Sequence, residues 1–288
     1  MKRSSAVDDD GIYINRKSIG RGYLLKPDLG FFRQEGSLLQ EDGVEYRLNS
    51  YGLRSDDFQS EHTGLHMLFA GCSNTYGLGT DLENVWATRV YNKIKQTNDV
   101  SNYNNIGINA GSVIEIVFHI FRYVEKFGNP DVIFILLPER DRDDEFFFDE
   151  YEEEYSDSFN FSIYHSLELF CRSNNIKLIS STWVSNYTGL WDSFSSFANY
   201  KGPSPQKILL APKIRNEKTM FDDYLNNFKT FKHFYKDKII QDLYEYSVNN
   251  PKDKNMYTAK DRGRHFGNAF HYAWSNQLHE RFLNEKNN

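Results

Sequence analysis

Cysteine is scarce in this chain: 288 residues carry two, Cys72 and Cys171. Two distant cysteines make no disulfide framework, and no Cys pair stands at zinc-ligand spacing. Both read as small buried residues. Long apolar runs are absent too, so no membrane-spanning helix or membrane insertion is expected. The first ten residues are polar and charged with no apolar centre, which does not read as a secretory signal. A cytoplasmic location is expected. Basic residues are not in excess: the net charge of -6 argues against a general binder of nucleic acid or anionic membrane. His62, His66, His119 and His233 show no metal-ligand spacing, so no metal and no cofactor is expected. A phosphate loop of the Gly-x-x-x-x-Gly-Lys type is missing. Gly71, Gly77 and Gly79 are closely spaced but lack the lysine, which leaves nucleotide binding a minor alternative.

Apolar and aromatic residues are plentiful, at 39% and 16%, enough for a sizeable core. Their pattern follows a βαβ rhythm. Met67-Leu68-Phe69-Ala70 is a short apolar run that ends abruptly in Gly71-Cys72-Ser73, and an amphipathic segment over 83–94 follows. That is strand, tight turn, helix. A short strand is expected over 102–106 and a helix capped by Ser112 out to about 127, broken by Asn129-Pro130. The near-continuous β-branched and apolar run over 131–137 fits a central parallel strand covered on both faces. Residues 139–161 are acidic and aromatic and read as a solvated excursion. A helix over 164–173, a strand over 176–183, helices over 220–234 and 239–246 and a last helix over 268–283 complete the pattern. Residues 184–218 lack periodicity and read as a long loop. Upstream, residues 1–20 are polar and expected to be poorly ordered. Residues 22–54 alternate apolar clusters with turn signals, with a strand over 44–49, and read as a β-rich arm. The expected organisation is therefore a tail and arm over 1–60, then an α/β domain over 61–288 with insertions at 139–161 and 184–250.

Ser73 stands just past a buried strand, at the carboxyl edge of the expected sheet. Open α/β sheets place their ligand crevice there. Gly71 leaves room for a sharp turn and a close approach to the backbone. Ser73 is therefore a candidate nucleophile. A Gly-x-Ser after a first strand also serves to cap a helix or to bind phosphate, and Ser73 and Thr75 equally suit a role in satisfying loop backbone groups.

Four blocks in chain order resemble the SGNH (GDSL-type) hydrolase family. Gly71-Cys72-Ser73-Asn74-Thr75-Tyr76-Gly77 resembles its Gly-Asp-Ser-x-Thr-x-Gly block. Asn105-Ile106-Gly107-Ile108-Asn109-Ala110-Gly111 resembles its second block, and residues 131–141 its third strand and loop. Asp261-Arg262-Gly263-Arg264-His265 resembles the last, in which an Asp precedes a catalytic His. The segment Asn49-Ser50-Tyr51-Gly52-Leu53-Arg54 also looks like one that precedes the nucleophile strand in such proteins. The resemblance implies a flavodoxin-like three-layer α/β/α fold around a mostly parallel sheet. It implies a serine esterase with Ser73 as nucleophile, His265 as base and Asp261 as its orienter, acting on a small acyl ester or an acylated carbohydrate, for instance an O-acetyl sugar. Gly111 would serve the oxyanion. The chain departs from the family at three places. Cys72 replaces the Asp before Ser. Arg140 stands where the family has an oxyanion-hole Asn, a donor whose loss costs about 3 kcal/mol of transition-state stabilisation. Arg140, Asn74 and Asn109 are the residues available to compensate. Asp261 lies four residues before His265 rather than three, so pairing requires the loop to bulge. Such domains also occur in large bacteriophages. The resemblance thus extends to a binding or structural module, as in a virion or surface assembly, and to an acyltransferase.

Overall fold

The structure is a computed structural model, which describes residues 6–7, 13–14, 38–41, 43–138, 153–183, 197–198, 238–261 and 265–284. Five parallel strands form its central sheet: β5 (Met67–Gly71), β6 (Asn104–Asn105), β7 (Val132–Leu137), β8 (Lys177–Thr182) and β9 (Phe197–Ala198). Across the sheet they run β6-β5-β7-β8-β9, every pair parallel. Counted within the sheet this is the order 2-1-3-4-5. The chain leaves β5 for one side and, after β6, returns to the other, so a topological switch point lies between β5 and β7.

The two central strands β5 and β7 are apolar along their length because no water reaches either face. All residues of β5 and β7 are buried, and Phe69 stacks on Phe134 across the pair at 5.2 Å. Each such side chain contributes about 1.5–3 kcal/mol relative to exposure, an upper bound because the unfolded chain is itself partly collapsed. Helices α2 (Trp86–Lys95), α5 (Lys238–Asn249) and α6 (Asn268–Asn284) pack together, and α3 (Val113–Phe127) packs on α4 (Glu153–Ser173). Helix α3 starts in a capping box: Ser112 Oγ accepts the Glu115 N–H while Glu115 accepts the Ser112 N–H.

Several features can be set against expectation. Helix α4 begins at Glu153, so part of the acidic stretch is helical; glutamate is a strong helix former, and its clustering reads as a loop only when charge is weighed above propensity. The helix expected over 239–246 is present as α5, slightly longer at both ends and packed on α6 with Asp242, Leu243 and Tyr246 buried. The apolar pairs Ala6-Val7 and Tyr13-Ile14 flank an Asp/Gly run and pair antiparallel as β1 (Ala6–Val7) and β2 (Tyr13–Ile14). The expected helix over 220–234 lies outside the described residues. In the arm, β3 (Leu38–Glu41) pairs antiparallel with β4 (Val44–Arg47). Val44, Tyr46 and Leu48 are buried in a small second core that includes Tyr76 and Leu78, on the segment following Ser73. No described helix is long and apolar enough to cross a membrane.

Candidate active site

Ser73 opens the four-residue helix α1 (Ser73–Tyr76) directly after β5, at the carboxyl edge of the sheet and beside the switch point. The turn before it needs glycine. Gly71 has φ +151°, and a Cβ there would lie 2.0 Å from Thr75 Oγ1 and 2.6 Å from the Leu136 carbonyl oxygen. Helix α1 therefore folds back tightly over the end of β5, where that strand lies against β7. Its first turn is fixed by the Thr75 and Tyr76 N–H groups donating to the Cys72 carbonyl. The N–H groups of Ser73 and Asn74 precede the first helical donor and are donated to no described residue.

The base arrives from the other end of the domain. His265 Nε2 lies 2.9 Å from Ser73 Oγ, and His265 Nδ1 lies 2.5 Å from Asp261 Oδ2. A carboxylate only accepts, so Nδ1 carries the ring proton and Nε2 is left to accept from the Ser73 hydroxyl. Ser73 and Asp261 are buried, while the His265 side chain keeps 20% of its surface open. The four-residue spacing is accommodated because Asp261 Oδ1 also accepts the His265 backbone N–H at 3.3 Å. One carboxylate thus holds both the ring and the chain that carries it.

The remaining predicted residues fare differently. Gly111 is buried and its N–H closes a turn, donating to the Ile108 carbonyl at 3.3 Å. Asn109 is half-buried in the same loop, and Ala110 between them adopts the left-handed region at φ 57° while exposed. Asn74 is buried next to the nucleophile, and its Oδ1 has no hydrogen-bond partner among the described residues. Arg140 lies outside the described residues. Cys72 is fully buried.

Asn105 carries a task that sequence reading leaves unassigned. Its Nδ2 donates to the Thr75 carbonyl and to the Tyr103 hydroxyl, both at 2.9 Å, while its Oδ1 accepts the Gly107 N–H at 2.8 Å. It ties the β6 loop to the nucleophile helix. His271 is neutral: burial pushes its pKa down to about 3, and its Nδ1 accepts the Trp86 N–H at 3.2 Å. It packs between helices and is not part of the Ser73 chain. Among the described residues no group of three or more His, Cys, Asp or Glu side chains is placed to hold a metal ion. No family model matches the chain, and no curated protein matches it in sequence.

Proposed function

We propose that this chain is a serine esterase of the SGNH type that hydrolyses small O-acyl esters, with acylated carbohydrate as the substrate class. One observation carries the reading: a hydroxyl, an imidazole and a carboxylate form a single hydrogen-bonded chain at the carboxyl edge of a parallel sheet, with the ring presenting one nitrogen to each neighbour. The strand order 2-1-3-4-5 and the two groups of packed helices support a flavodoxin-like three-layer arrangement.

In this mechanism Ser73 Oγ attacks the ester carbonyl as its proton passes to His265 Nε2. Asp261 stabilises the imidazolium that forms and keeps the ring oriented. The Ser73 N–H faces the developing oxyanion. Collapse of the tetrahedral intermediate expels the alcohol, which takes the proton back from Nε2. A water then repeats the attack on the acyl-enzyme, using the same base, and releases the acid. The test is labelling of the purified protein with a fluorophosphonate probe, which reports an activated serine without a known substrate. Covalent labelling that disappears in Ser73→Ala supports the esterase; a folded wild-type protein that does not label overturns it.

A second reading, an SGNH-fold binding or structural module, draws on Gly111, whose N–H is engaged within its own turn rather than offered to an oxyanion. The same labelling experiment separates the two.

A further inference from the structure

Arg54 is among the largest fully buried side chains in the molecule, at 2% exposure, yet it is held by backbone carbonyls and a ring rather than by a carboxylate. Its Nη1 donates to the carbonyls of Gly77 and Thr80, each at 2.8 Å, and its Nη2 to that of Glu45 at 3.1 Å. The guanidinium lies 4.6 Å from the centroid of the Tyr46 ring. Tyr46 itself reaches the same loop, its hydroxyl accepting the Gly79 N–H at 2.7 Å. Two side chains of the arm and its following turn therefore grip both ends and the middle of the loop over 77–80.

That loop joins the two halves of the Ser73 chain. At one end the N–H groups of Gly77 and Leu78 both donate to the Ser73 carbonyl. At the other, the Gly79 carbonyl accepts the Lys260 N–H at 2.8 Å, one residue before Asp261. Gly79 has φ +73°, and a Cβ there would lie 2.9 Å from Cβ and Cγ of Asp261. The loop is thus the spacer that sets the carboxylate at a fixed distance from the nucleophile. It has little tolerance, because backbone meets side chain with no slack.

We propose that Arg54 and Tyr46 are positioning residues for the Asp261–His265–Ser73 chain, acting through the loop over 77–80, and that the β3–β4 arm is a working part of the active site. The inference rests on the esterase reading. Guanidinium suits the task because its rigid planar fork meets carbonyls from separate segments in fixed directions. A lysine keeps the charge but cannot reproduce the fork.

The test compares Arg54→Lys and Tyr46→Phe with the wild-type chain, using three readouts. They are thermal midpoint, rate of fluorophosphonate labelling, and the downfield proton resonance of the His265 Nδ1–H in NMR. Misplacing a catalytic group by about 1 Å costs roughly a hundredfold in rate. Arg54→Lys is expected to label roughly tenfold to a hundredfold more slowly and Tyr46→Phe by a smaller factor, with the resonance shifted or broadened in both and the fold retained. If Arg54→Lys does not fold, Tyr46→Phe carries the test. Wild-type rate and an unchanged resonance in the folded variants overturn the proposal while the esterase reading stands. A wild-type chain that does not label overturns the esterase reading. The resonance still decides the clamp in that case: unchanged in both variants, it overturns it; altered, it upholds it.

Discussion

The two edges of the sheet both carry a histidine beside a carboxylate and a hydroxyl, and they use them in opposite ways. At the carboxyl edge His265 bridges Asp261 and Ser73 through its two ring nitrogens and remains partly open to solvent. At the amino edge Asp131 accepts the backbone N–H of His66 at 2.7 Å, leaving the ring to Tyr123, whose hydroxyl lies 2.8 Å from Nε2. The His66 ring stacks on His62 at 3.4 Å, and burial, together with His62, pushes its pKa down to about 4. Residue types alone do not make a relay. A carboxylate on the backbone fixes a strand end; a carboxylate on the ring fixes a tautomer and prepares the ring to receive a proton.

The largest expected effects fall on the carboxyl edge. Ser73→Ala should abolish labelling, and Asp261→Asn should slow turnover of an activated acetyl ester by a factor of about ten thousand, since an amide no longer holds the required tautomer. Both variants should keep the wild-type thermal midpoint within a few degrees. Next in size is Gly71→Ala, which forces a side chain into Thr75 and a β7 carbonyl. A loss of about 3 kcal/mol or more is expected in denaturant unfolding. The amino edge should behave inversely: His66→Gln should cost about 1–3 kcal/mol through the buried tyrosine hydroxyl and leave the labelling rate unchanged.

Acid should also weaken the fold, through histidines away from the Ser73 chain. His66 and His119 are held near 4 and His271 near 3, burial being the first cause for each. Between these values and the ordinary 6.5, the unfolded chain binds more protons than the folded one, so stability falls as pH drops through that window. Asp242 opposes this, because burial raises its carboxyl to about 6 and the folded state takes up its proton first. Three histidines against one carboxyl predict a lower thermal midpoint at pH 4.5 than at pH 7, with a shallower slope in His66→Gln. The smallest effect belongs to neither edge. Phe118 is 52% exposed on α3, and Phe118→Ser should change stability by no more than about 0.5 kcal/mol.

Local signals carried most of what the sequence disclosed. The strand at Met67–Gly71, the turn at Gly71 and the run that became β7 are legible because burial on both faces writes itself as an unbroken apolar string. Ser112 is legible as a cap because its partner Glu115 is three residues away. The contact between Asp261 and His265 is legible only through the resemblance, because a spacing of four admits many paths and the second bond, to the His265 N–H, is needed to select this one. Arg54 is also opaque: no acidic partner announces its burial, and its three carbonyls come from segments on both sides of it. The two-residue strand β9 escapes notice because so short a pairing has no period. The start of α4 is hidden because its clustered glutamates look solvated by charge while their helix propensity decides the outcome.

Ser73 and His265 are separated by 192 positions. At typical rates of synthesis, about 5–20 residues per second, roughly ten to forty seconds pass between the appearance of the serine and that of the histidine. β5 is already made when that interval opens, β6, β7 and β8 are made within it, and His265 is still absent from the side of the serine. On the esterase reading proposed above, the nascent chain stays inert towards esters until His265 is in place beside α6. On that reading, activity would switch on as a final event of folding, and a chain broken off before residue 265 would lack the base altogether.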